Sequence, residues 1–306
     1  MIIVYTFDFK KNTKLDDRKH QFMMLLLSIQ SVIDTKRGMR IVVYTNDNLV
    51  KKKLHTNFGE EIEIILGDSK TSVCDTSWFT CAGHSRLDLL LKFVAERHGG
   101  GVLYMDYDTI VHPELFDNIG KFKRPTLYRV ETWHDLKMWT FLHTKSVELY
   151  HYIDKTILPR YNYKADLDVI NNGVIYLPPT RESEDWIKLA NDIYRELMTN
   201  VGYSYGLDQT SMSIVCHIMK TTDMFFTNGS TNKTIWHAYC VKEKYRETIE
   251  RSIIKLDDNF EFINRYVDVY NLLFTTTTRP QNKSYSQVYY KTPFSKKNLK
   301  VATTRI

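Results

Sequence analysis

Residues 99–112 read Gly-Gly-Gly-Val-Leu-Tyr-Met-Asp-Tyr-Asp-Thr-Ile-Val-His. A glycine stop precedes an apolar run, and the run ends in two carboxylates one residue apart. Residues two apart on a strand share a face, so Asp106 and Asp108 project together where that strand gives out. Two hard oxygen donors suit a divalent cation, and such a cation suits a diphosphate. The chemistry indicated is transfer of a group away from a nucleotide diphosphate.

The elements that must position this pair are legible around it. Residues 2–7 read as a buried strand, and residues 15–33 as a helix with an apolar centre. Short strands are expected at 41–45, ended by Asn46-Asp47-Asn48, and at 62–66, closed by Gly67-Asp68. From residue 85 to 98 the apolar positions Leu87, Leu90, Leu91 and Val94 fall at helical spacing, and the strand 102–105 follows. Strands alternating with helices indicate an α/β fold with a largely parallel sheet. Such sheets bind ligands beyond the carboxyl ends of their strands, which is where Asp106, Asp108, Tyr5-Thr6 and Thr45-Asn46 all fall.

Downstream, residues 169–177 read as a strand interrupted by Asn171-Asn172-Gly173, and glycine within a strand often admits close approach of another group. A helix with Trp186 inward is expected over 184–198. Another opens at Tyr205-Gly206-Leu207-Asp208-Gln209 and runs to about Met219, with Asp208 as its cap. A short strand at Ile235-Trp236-His237 precedes helical patterns over 241–254 and 259–273. With no repeat and no Gly/Ser-rich linker, the simplest division is one domain over 1–274 and a C-terminal extension over 275–306.

The chain has 306 residues, of which 43% are hydrophobic and 25% charged, as in ordinary soluble globular proteins. No apolar stretch approaches the roughly 20 residues needed to cross a bilayer. The start lacks the basic segment and cleavage site of a secretory signal, so a cytoplasmic location is expected. The Asn-x-Ser/Thr triplets at Asn228, Asn232 and Asn282 are then chance. Cys74, Cys81, Cys216 and Cys240 have no Cys-x-x-Cys spacing and read as reduced, mostly buried thiols. The net charge of +6 belongs to the end of the chain: residues 279–306 hold seven Lys or Arg and no acidic residue. A near-neutral body argues against a nucleic-acid groove, and a basic, aromatic tail suits an anionic membrane surface.

The stretch from Ser85-Arg86-Leu87 through Asp106-Tyr107-Asp108 resembles the signature of GT-A glycosyltransferases. It is most similar to family 8, with glycogenin and the lipopolysaccharide galactosyltransferases, and to the DXD sugar-binding family. Three later landmarks follow in that family's order: Asn172-Gly173-Val174, Asp208-Gln209 and Trp236-His237. The resemblance spans residues 2 to about 245. It implies a single GT-A (Rossmann-like) domain with a mixed, mainly parallel sheet. It also implies a nucleotide-sugar donor, UDP-linked, and Mn2+ or alternatively Mg2+ held by Asp106, Asp108 and His237. Two carboxylates neutralise the cation, and an imidazole favours Mn2+ over Mg2+. Tyr5, Thr6, Arg86, Tyr107 and Asp168 would contact the donor, and Asn172, Asp208 and Gln209 would bind sugar hydroxyls near the anomeric carbon. Retention of configuration is implied. Inversion would need a carboxylate base, for which Asp166, Asp168 and Glu131 are available. The acceptor, a glycan, glycolipid or glycoprotein, would meet residues 131–139, a segment matching no family motif.

Alternatives remain open at this level. Arg86 reads equally as a surface cation paired with Asp75 or Asp88. An apolar strand followed by Asp-x-Asp also opens haloacid-dehalogenase-type phosphatases, with Asp106 as nucleophile, Asp108 as acid/base, and Lys255 with Asp257-Asp258 completing the site. A third reading is a non-catalytic protein that binds nucleotide or glycan on the same fold.

Overall fold

The strand Ile2–Thr6 (β1) is buried along its whole length, as a strand covered on both faces must be. In the computed structural model, which describes residues 1–9, 14–67, 86–96, 99–129, 146–162, 170–202, 206–220, 223–225, 235–237 and 257–261, it lies inside a seven-stranded sheet. Its partners are Arg40–Thr45 (β2), Glu63–Leu66 (β3) and Val102–Met105 (β4). Beyond a short strand Thr109–Val111 (β5) come Thr126–Arg129 (β6), Ile170–Leu177 (β7) and Asp223–Phe225 (β8). The order is β3-β2-β1-β4-β7-β6-β8. Among the described strands of this sheet, β7 alone runs against its neighbours. The fold is therefore α/β with a mixed, mostly parallel sheet, as read from the alternation of elements.

Alternation along the strands divides the core. Ile2 and Val4 of β1, with Val102 and Tyr104 of β4, pack against the helices Arg86–Ala95 (α3), Arg181–Val201 (α6) and Leu207–Met219 (α7). Ile3, Tyr5, Leu103 and Met105 face the opposite way. They meet Leu15–Ile33 (α1), Asn48–Phe58 (α2) and the short helix Glu114–Asn118 (α4). A further helix, Val147–Tyr152 (α5), continues through a π-helical turn at Ile153–Ile157 into Leu158–Arg160. No helix among the described residues is long and apolar enough to cross a membrane.

Three expectations change. The helix α6 is longer than 184–198 because Thr180 caps it, its side chain accepting the Ser183 N–H at 3.3 Å. The strand β7 is not interrupted at Asn171-Asn172-Gly173, since all eight of its residues are extended and buried. The irregularity appears instead in its pairing with β6, which steps from Leu127–Ile175 to Tyr128–Asn171 and skips Asn172 to Val174. Residues 257–261 form a turn, so no helix begins at Asn259. The pattern over 241–254, the tail from 275, three of the cysteines and the segment 131–139 lie outside the described residues. Cys216 is buried, and burial pushes its thiol above the usual range.

Candidate active site

The strand β4 ends at Met105, and there its main chain is captured by β7: the Asp106 N–H donates to the Gly173 carbonyl at 2.7 Å. The chain then turns, and the Thr109 hydroxyl donates back to the Asp106 carbonyl at 2.8 Å. This turn delivers Asp106 and Asp108 to one place. The histidine arrives on Ile235–His237 (β9), which pairs antiparallel with β5 and sets His237 opposite Thr109. His237 Nε2 lies 3.2 Å from Asp108 Oδ1 and 4.0 Å from Asp106 Oδ2. One ligand atom from each of the three residues lies within 4.8 Å of the other two. Atoms that share one octahedral cation stand about 3 to 4 Å apart.

The surroundings fit a cation by shape and by donor set. A Cβ built on Gly173 would lie 2.4 Å from His237 Cε1 and 2.7 Å from Asp106 Oδ2, so only glycine admits the cluster over β7. Among the described residues, the carboxylates of Asp106 and Asp208 face the Arg86 guanidinium, and that of Asp108 meets His237. Two carboxylates and an imidazole within this reach of one another form a donor set that a divalent cation can use.

Arg86, the first residue of α3, is a buried member of the site and not a surface cation. Its guanidinium nitrogens lie 3.5 Å from Asp106 Oδ1 and 3.3 Å from Asp208 Oδ2, and one donates to the Asn172 carbonyl at 3.2 Å. Its Cζ sits 4.5 Å from the centre of the Tyr104 ring. Asp88 serves elsewhere, bound by Arg195 and Asn191. Asn172 Nδ2 donates to Asp208 Oδ2 at 3.0 Å, while Asp208 Oδ1 accepts the N–H of Gln209 at 2.8 Å. Asp208 is thus not the residue that caps α7, a position held by Gly206 with φ of 74°. It stands in the first turn and satisfies one of the free N–H groups there.

Thr6 joins the cluster through a residue that sequence reasoning passed over. The Tyr104 hydroxyl donates to Asp106 Oδ1 at 2.9 Å and meets Thr6 Oγ1 at 3.0 Å. Burial, the largest influence on this phenol, holds its pKa well above the ordinary range. Tyr104 lies two residues before Asp106 on the same face, a signal the period of the strand already contained. Asp8, two residues past Thr6, was missed as well. It ties the ends of β1 and β2 by accepting from Thr45 Oγ1 at 2.8 Å and the Asn46 N–H at 2.7 Å.

Two further expected donor contacts lie as follows. Tyr5 is wholly buried on the face of α1 and α2, its hydroxyl 3.0 Å from Ser28 Oγ. Tyr107 packs edge-on against Phe7, with centroids 5.3 Å apart. Asp168, like Asp166 and Glu131, lies outside the described residues.

No family model matches the chain, and no curated protein matches it. Solved structures similar to it include a bifunctional glycosyltransferase, WbbM, at 18% identity and a TM-score of 0.45, over 73% of this chain. The chain spans 38% of the length of WbbM. Mouse xyloside xylosyltransferase 1 is similar at 12% identity and a TM-score of 0.47, over 78% of this chain and 98% of that one. The galactosyltransferase LgtC with donor and acceptor sugar analogues is similar at 12% identity and 0.45, over 92% and 98%.

Proposed function

We propose that this chain is a metal-dependent glycosyltransferase. It takes a sugar from a nucleotide diphosphate, UDP by the family resemblance, and passes it to a hydroxyl on a glycan, glycolipid or glycoprotein with retention of configuration. The observation that carries the reading is the meeting of Asp106, Asp108 and His237 over Gly173, beside a buried Arg86. Those three side chains would hold Mn2+ or Mg2+. When bound, the cation supplies Lewis-acid stabilisation of the charge that grows on the departing diphosphate.

The chain's own groups do the rest. Arg86 is a fixed cation beside the metal ligands, held by two carboxylates and a ring face, and it binds a phosphate oxygen without reorganising. Asp208 is oriented by Asn172 and by the main chain of Gln209, so its carboxylate accepts from sugar hydroxyls in a set direction. The Gln209 side chain, in the same helical turn, adds an amide to that set. Thr6 and Asp168 complete the donor side in this reading.

The phosphatase alternative is less well supported. It needs Asp257 and Asp258 beside Asp106. Asp258 instead pairs with Lys19 of α1 at 2.6 Å, and Asp257 Oδ1 accepts the N–H groups of Asn259 and Glu261. We also propose a cytoplasmic location, a catalytic domain over 1–274, and a basic tail from 275 that meets an anionic membrane surface. Attraction there amounts to about 1 kcal/mol per basic residue. Deleting residues 280–306 should then abolish binding to anionic vesicles, and unchanged binding counts against the tail.

Thermal unfolding with a panel of nucleotide sugars, with and without Mn2+, tests the main reading. A Mn2+-dependent stabilisation by one donor, with slow release of free sugar, is expected. Release of phosphate from a simple monoester without any nucleotide sugar would favour the phosphatase. Metal-dependent nucleotide binding with no turnover of any donor would leave a binding protein.

A further inference from the structure

We infer that Ser28, in the C-terminal half of α1, is a positioning residue for the metal-binding turn and acts through Thr109 on the main chain of Asp106. The inference rests on the metal reading above. Ser28, Tyr5 and Thr109 are all wholly buried. Ser28 Oγ lies 3.0 Å from Thr109 Oγ1, to which it gives its one proton, and 3.0 Å from the Tyr5 hydroxyl. Thr109 Oγ1 donates in turn to the Asp106 carbonyl at 2.8 Å. Nearly one turn along α1, Ser31 Oγ accepts the Val111 N–H at 3.1 Å and donates to the Ser28 carbonyl at 2.6 Å.

The need for these hydroxyls follows from topology. The strand β5 is paired to β9 and packs beside α1, and a helix offers no ladder of main-chain partners. Two serines three residues apart lie on one helical face and supply the missing bonds. Their neighbours Leu25, Leu26, Leu27, Ile29 and Val32 are buried and aliphatic or nearly so, a setting where an unbonded hydroxyl is costly. The polar pair thus interrupts the apolar helix where the turn carrying the ligands must be held. Asp106 is anchored twice, at its N–H by Gly173 and at its carbonyl by Thr109. The second anchor is the one that Ser28 fixes.

Removing partners of this outer kind costs metal sites about 10- to 100-fold in affinity. The test is a Mn2+ titration of the full chain, read from the electron paramagnetic resonance of the free ion. It is repeated on Ser28→Ala, Thr109→Val and Ser183→Ala. Binding about tenfold weaker is expected for the first two, with unchanged circular dichroism. Ser183→Ala removes an equally buried hydroxyl, which at the start of α6 meets Thr180, and should bind as the parent does. Thr109→Val carries the test if Ser28→Ala does not fold. Parental affinity in Ser28→Ala and Thr109→Val overturns the inference and leaves the metal site standing. An equal loss in Ser183→Ala also overturns it, since the effect would then be one of general stability. Absence of binding by the parent chain overturns the metal reading and this inference with it.

Discussion

Gly173 and His237 approach so closely that a Cβ on the glycine would lie 2.4 Å from Cε1 of the imidazole. The glycine backbone itself is ordinary extended strand, so space alone forbids a side chain there. Gly173→Ala must therefore push aside His237, Asp106 or both. It should weaken Mn2+ binding by about 100-fold. Overpacking should cost about 1–3 kcal/mol of stability. Titration calorimetry and urea unfolding measure the two effects separately, and metal affinity at the parental value would refute the arrangement.

Arg86 stands between Asp106 and Asp208 with little access to water. Removing one partner of a buried charge network leaves the others uncompensated, at a cost of about 3 kcal/mol. Arg86→Met should show that loss in urea unfolding and should lose donor binding. Arg86→Lys keeps the charge but cannot span both carboxylates or lie flat on Tyr104. Its expected signature is a raised KM for the donor with the fold intact.

The parts legible in the sequence were those carried by contiguous residues. Asp106, Asp108 and the strand before them sit in one short stretch, and the alternation of strands and helices announced the sheet. His237 depended on motif order, because β5 and β9 are three residues each and too short to show a period. The two readings of Arg86 were separable only in space, since helix periodicity cannot say what lies over the first turn. Tyr5 illustrates a rule that was available: adjacent strand residues point to opposite faces, so Tyr5 and Thr6 could not both line one site. The interruption expected in β7 is absent from the strand itself, and the irregularity lies in its pairing with β6, which only the structure reveals.

Burial raises the pKa of the Tyr5 phenol far beyond the ordinary tyrosine value, and its bond with Ser28 only partly offsets this. The folded state therefore keeps its proton where the unfolded chain gives it up. Stability is fully present below a pH of about 10 and falls as pH rises beyond it, by about 1.4 kcal/mol per pH unit for each such group. Tyr104 acts in the same direction. Tyr5→Phe should lose about 1 kcal/mol near neutral pH, where only the hydrogen bond is removed. It should also flatten the alkaline decline. Urea unfolding at pH 8 and at pH 10.5 checks both parts, and an identical alkaline slope in the variant would count against the assignment.

Phe260 adopts φ of 65° although its ring is buried, 5.5 Å from that of Phe9 and 5.8 Å from that of Phe22. The left-handed region is unfavourable for a residue with a Cβ by about 1–2 kcal/mol. Three other contacts hold it there: the Asn57 amide on its carbonyl, the turn bond from its N–H to the Asp257 carbonyl, and the Lys19–Asp258 pair beside it. Removing the ring should cost about 3 kcal/mol. The order of two truncations is the sharper test. At an ordinary position glycine is worse than alanine, whereas here glycine relieves the strained φ that alanine retains. Phe260→Gly should therefore be no less stable than Phe260→Ala in urea unfolding. If the glycine variant is clearly the weaker, by about 1 kcal/mol as in an ordinary backbone, then Phe260 is not held against strain.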